Sequence, residues 1–179
     1  MAKNPKEDPR KRPRGLARLA AKSAAGLRLP PKLLLAVLAS WVLLFVARAL
    51  IIFCPTRWLA RFYGVDQGVG AALLLADHGA LRAAARVRKA IEIALRSCPA
   101  WANCYPQALV ARFWLWALGH PHVLFFGLRK NGERSVDAHA WVMVGALPVT
   151  GGDGFAQFTV VRCYSSQPVL AAQTRRDGP

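Results

Sequence analysis

The feature that most limits how this chain can fold is the run LLLAVLASWVLLFVARALIIFC, which begins at Leu33. No charge occurs between Leu33 and Ala47, and the apolar character continues past Arg48 to Pro55. At about 1.5 Å per residue, a helix of that length reaches across the hydrocarbon of a bilayer. Arg48 opposes a span, because a guanidinium inside an inserted helix costs about 3 kcal/mol, although one near an end can snorkel. The soluble outcome is a central helix that is apolar all round because a domain wraps it. Peripheral contact with a membrane is the third.

The segment before that helix reads very differently. Residues 1–32 hold ten Lys or Arg against two acids, with several prolines and few large apolar side chains. Such an arm cannot bury enough surface to offset its ordering entropy, so disorder is expected at least to Arg14. The chain as a whole carries a formal charge of +16. A basic arm attracts any polyanion, and ahead of an apolar helix it keeps the N-terminus in the cytoplasm. Nucleic acid is disfavoured, since no zinc-finger spacing, recognition-helix pattern or aromatic RNA-binding motif accompanies the charge. The expected location is therefore cytoplasmic, and membrane association through Leu33 to Pro55 stays open.

Beyond the apolar run, TRWLARFYG reads as a short helix capped by Thr56 and stopped at Gly64. The stretch from Asp66 to Trp101 reads as helices, the last with apolar positions Leu81, Ala84, Val87, Ile91 and Leu95 and a basic outer face. YPQALVARFWLWALG is a further helix, with Gly119 as a left-handed cap. There the period shortens. HVLFFGLR, AHAWVMVG and FTVVRCY have strand composition and are joined by turn-rich segments. Helices followed by a short antiparallel sheet give an α+β fold. The expected organisation is a basic arm over 1–32, a helical region over 33–80, a catalytic domain over 81–170 and a disordered tail over 171–179.

The four cysteines, at 54, 98, 104 and 163, form no C-x-x-C pair. Cys54 and Cys163 read as small buried hydrophobes. A zinc site from Cys98, Cys104, His120 and His122 has the right atom types, but its spacing fits no known finger, and neither a metal nor another cofactor is expected. Cys104 differs from the other three. It stands one residue from Pro106 at the start of a helix, where backbone N–H groups point outward and the dipole is positive. That setting favours the thiolate, the form that attacks carbonyls, and offers donors for the oxyanion that results. His139 lies in a strand pattern and is the natural base, with Trp141 on the same face to exclude water. His120 and His122 read as structural or solvent-facing, and Trp114 and Trp116 as core residues on opposite sides of their helix.

Several of these pieces occur together in one known family. From about Arg96 through Tyr164 the chain resembles the lasso-peptide biosynthesis B proteins, transglutaminase-like cysteine peptidases of the microcin-processing type. ANCYPQALVARFWLWALG, VLFFGLRK, DAHAWVMVG and VTGGDGFAQFTVV carry the likeness, in the family's order. The resemblance implies a papain/transglutaminase-like fold and a Cys-His-Asp site that cuts the leader from a ribosomally made precursor. Cys104 matches the nucleophile and His139 the base. Relatives carry the Asp about a dozen residues after the histidine, where this chain has Gly151 and Gly152. Asp153 is the nearest candidate and Asp137, on the face of His139, the runner-up. The family also implies partners: the precursor leader, a leader-recognition protein expected here as a separate chain, and an ATP-dependent, asparagine-synthetase-like macrolactam cyclase.

Overall fold

The computed structural model describes residues 29–69, 74–98, 102–132 and 135–167, and of Asp153 the backbone alone. Most of the expected disordered arm and all of the tail lie outside the described residues.

Helix α1, Pro31–Phe53, takes in Pro31 and Lys32, which the expected boundary had left in the arm. Proline suits a first helical position, where its missing N–H would have had no partner in any case. The domain does not wrap this helix. Only Ser40, Leu44 and Ala47 are buried, along the stripe that meets two later helices. The Trp114 indole N–H donates to Ser40 Oγ at 3.0 Å and fixes the register of that contact. The remaining faces, including Leu35, Leu38, Val42, Ile52 and Phe53, are exposed.

Helix α2, Thr56–Ala60, has Pro55 and not Thr56 at its cap, and no side chain caps it. Gly64, at φ 103°, turns the chain into β1, Val65–Asp66. Here the helical expectation fails for 66–69 and 74–77: β1 pairs with the last strand, and Leu74 to Asp77 is not helical. Tertiary pairing and the positive-φ glycines at 64 and 68 override the local propensity. Helix α3, His78–Leu95, starts where Asp77 accepts the Ala80 N–H at 2.7 Å. It buries Ala84, Val87 and Ile91 on the expected stripe. Helix α4, Cys104–Ala117, buries Ala108, Ala111 and Leu115 and ends at Gly119, at φ 71°. Each large core side chain such as Leu44, Ile91 or Leu115 contributes about 1.5–3 kcal/mol by leaving water.

The sheet consists of β1, β2 (Val123–Asn131), β3 (Ser135–Val144), β4 (Leu147–Pro148) and β5 (Thr159–Ser165), in the order β1-β5-β2-β3-β4 with every pair antiparallel. Alternation sorts its side chains into two cores. Leu124, Ala140, Val142 and Val144 face the helices. Val123, Phe125, Trp141, Met143 and Cys163 face the other way, under Phe155 and Phe158 from the turn before β5. Cys163 is fully buried, as expected of a small hydrophobe, and Cys54 is partly buried at the rim of the helical core. On its outer side β3 meets a strand only at Met143 and Val144; earlier it is bordered by the turn that carries Thr150 and Gly151. The result is an α+β fold, helices on one face of a small antiparallel sheet.

Candidate active site

Cys104 is the first residue of α4 and is partly exposed. The cap residue Asn103 makes no side-chain bond to the first turn. Pro106 has no N–H to offer, so the first-turn donors at this end are the backbone N–H groups of Cys104 and Tyr105. Two contacts hold the turn in place. The Gln107 side-chain amide donates back to the Ala102 carbonyl at 2.7 Å. The hydroxyls of Tyr105 and Tyr63 are hydrogen-bonded, and burial pushes the titration of both phenols upward. The Tyr105 ring also packs edge-on against Phe126, with centroids 5.7 Å apart. Phe126 pairs with Ala140, so the mouth of α4 lies at the level of the residue next to His139.

His139 leaves β3 on the opposite side of the sheet from Ala140, toward the smaller core. Its ring stacks on Phe158 at 4.8 Å and on Trp141 at 5.7 Å. Its Nε2 lies 3.0 Å from the Gly151 carbonyl oxygen. A carbonyl can only accept, so Nε2 carries the hydrogen and Nδ1 of the neutral ring keeps its lone pair. Among the described residues no hydrogen bond joins Cys104 to His139. Cys104 opens a helix packed on one face of the sheet, and the His139 ring lies in the smaller core on the other.

The two candidate carboxylates differ in their surroundings. Asp137 is engaged by its strand partners, accepting from Arg129 Nη2 at 2.9 Å and from Asn131 Nδ2 at 3.2 Å. The Arg129 guanidinium, and then Asn131, hold its carboxyl below the usual range. Asp153 falls in the 3-10 turn Gly152–Gln157, and its side chain lies outside what is described.

The acceptor that the ring does have, Gly151, stands twelve residues after His139, where the resemblance places a carboxylate. A backbone acceptor has no side-chain signature in the sequence, and the spacing from His139 is the one clue to it. Glycine is required there twice over. Its φ is +96°, and an added Cβ would lie 2.4 Å from Trp141 Cβ and 3.1 Å from His139 Nε2.

One other expectation needs correction: Trp116 is 65% exposed and lies outside the core, at the wall of an open groove. His122 takes the structural one of its two expected roles: it is fully buried and bonded on both nitrogens, to the His120 carbonyl at 2.8 Å and to Arg112 Nη1 at 3.3 Å.

Residues 50–163 match the sequence profile of the Transglutaminase-like superfamily, well over half of the chain. The chain belongs to the transglutaminase-like superfamily. The match spans the apolar helix end, both cysteine and histidine segments, and the sheet up to Cys163. Members of the superfamily are commonly cysteine-dependent enzymes, and the domain is consistent with peptidase or amidase chemistry. No curated protein and no solved structure matches the chain.

Proposed function

We propose that the chain is a cysteine peptidase that removes the leader from a lasso-peptide precursor. The observation that carries this reading is the state of His139: with Nε2 donating to Gly151, Nδ1 is left as a base, level with the first turn of the helix that Cys104 opens. His139 Nδ1 takes the thiol proton as Cys104 Sγ adds to the carbonyl carbon at the leader-core junction. The backbone N–H groups of Cys104 and Tyr105 receive the resulting oxyanion. Collapse breaks the C–N bond, and the imidazolium returns its proton to the departing core amine, leaving a thioester on Cys104. Water, deprotonated by His139, then hydrolyses the thioester and releases the leader as a carboxylate.

The thiol and the ring start from opposite faces of the sheet, so this reaction requires a rearrangement that brings them together. Asp153 is the expected third member, assisting a ring that already has a backbone acceptor. A separate leader-recognition protein presents the precursor, and an ATP-dependent, asparagine-synthetase-like cyclase consumes the freed core amine.

The test is cleavage of the precursor, with the recognition protein added, followed by mass spectrometry. Cys104→Ala and His139→Ala each abolish the product; a Cys104→Ala protein that cuts at the normal rate ends the proposal. The missing thiol-imidazole hydrogen bond, with the ring stacked into the smaller core, favours a second reading, a non-catalytic precursor-binding scaffold. Precursor bound tightly by the wild-type chain but never cut selects it. A third outcome, turnover of an unrelated peptide amide but not of the precursor, selects a transglutaminase-like amidase.

A further inference from the structure

Away from Cys104, the helices leave a groove of about 540 Å³ between α1, α2 and α4. Its walls are apolar, with Leu50, Trp58, Phe62, Leu109 and Trp116 among them, and Arg112 also lines it. Arg112 is an unusual member. It is only 9% exposed, and its Nε has no hydrogen-bond partner among the described residues. Its one side-chain partner among them is His122. The His122 ring donates from Nδ1 to the His120 carbonyl, so its Nε2 accepts from Arg112 as a neutral group and supplies no counter-charge. Among the described residues no carboxylate pairs with Arg112. A guanidinium withdrawn from water without an anion is destabilised by several kcal/mol, and its planar fork matches a phosphate well.

The surface around this groove has a consistent chemistry. The open face of α1 continues through Trp58, Phe62, Phe113 and Trp116, all exposed. Arg61 lies over the Trp58 ring at 5.1 Å. The sequence leading into α1 brings nine further Lys or Arg against two acids. A spanning orientation is opposed by the company α1 keeps: its buried stripe packs on α3, which carries Arg82, Arg86, Arg88 and Lys89 and would be drawn into hydrocarbon with it. An apolar stripe with aromatic ends and a basic surround fits a helix lying in the plane of an anionic membrane surface.

We propose that the α1-α2-α4 groove binds an anionic phospholipid, its phosphate on Arg112 and its acyl part against the apolar walls, where the open face of α1 rests on the bilayer. This site is independent of the chemistry at Cys104.

The experiment uses the full chain with vesicles of phosphatidylcholine alone or with phosphatidylglycerol, measured by co-sedimentation and by tryptophan emission. Wild-type protein prefers the anionic vesicles. Arg112→Met, which removes the charge but keeps an apolar stem, weakens binding to them by roughly tenfold, the worth of one charge-assisted contact, while the basic arm is the same in both proteins. If Arg112→Met fails to fold, Trp116→Glu at the exposed wall sets a carboxylate at the site and weakens anionic binding by a similar factor. Short-chain phosphatidylglycerol below its micelle concentration also raises the melting temperature of the wild-type chain. Equal binding to both vesicle types overturns the proposal, as does a folded Arg112→Met or Trp116→Glu protein that binds like wild type. So do equal stabilisation by inorganic phosphate and lipid-independent dimerisation that covers α1.

Discussion

Replacing Gly151 with alanine acts on His139 through the backbone, without touching any titratable side chain. At φ +96° a β-carbon costs about 1–3 kcal/mol in strain. The new Cβ also meets Trp141 Cβ at 2.4 Å, far inside contact distance, so the turn must move away from β3. That movement stretches the 3.0 Å contact from His139 Nε2 to the Gly151 carbonyl, a bond worth about 0.5–1.5 kcal/mol. Stability should therefore fall by roughly 2–4 kcal/mol in urea unfolding. Losing the bond accounts for up to about tenfold in rate, and displacing the ring by about 1 Å for up to a further hundredfold. Nitrogen-15 NMR of the imidazole reads the cause directly: in the wild type the Nε2–H form of the neutral ring dominates, and in Gly151→Ala that bias is lost. A folded Gly151→Ala protein that cleaves precursor as fast as wild type, or a wild-type ring protonated on Nδ1 when neutral, refutes the reasoning.

If the backbone carbonyl already orients the ring, Asp153→Ala should slow precursor cleavage less than Cys104→Ala or His139→Ala; complete loss would make that carboxylate essential. Asp137→Asn should leave the rate within about threefold, because Asp137 is engaged by Arg129 and Asn131 and not by His139. Gly127→Ala should destabilise by about 1–3 kcal/mol and lower activity, since its Cβ would sit 2.9 Å from the Trp141 ring and from Phe158 Cβ, both in the aromatic stack against His139; unchanged thermal melting would contradict this. Burial holds His122 down to about 4, so the unfolded chain binds the extra proton first as pH falls. Its contribution of about 3 kcal/mol is present above pH 6.5, is lost between pH 6.5 and 4, and should vanish from the stability-pH curve of His122→Gln; identical curves for both proteins would contradict the assignment.

Local pattern settled a good deal of this protein. The apolar spacing of Ala84, Val87 and Ile91, the glycine cap at 119 and the period-two runs around Phe125 and Trp141 fix helices and strands because each element must bury its own face. The four ordered motifs placed the chain in its superfamily, and Cys104 at a helix mouth needed only a proline and the helical period after it. Long-range geometry lay beyond that reach. Val65 and Asp66 became a strand only because β5 offered them a partner. The apolar run of α1 could not announce which faces would stay open, since hydrophobicity is the same whether a helix meets protein or lipid. Gly151 became the acceptor for His139 only because the chain turns back along β3, and Arg112 was left without a carboxylate among the described residues only because of how α4 packs. Side-chain identity sets what a residue can donate, accept or bury; the tertiary arrangement alone chooses its partner.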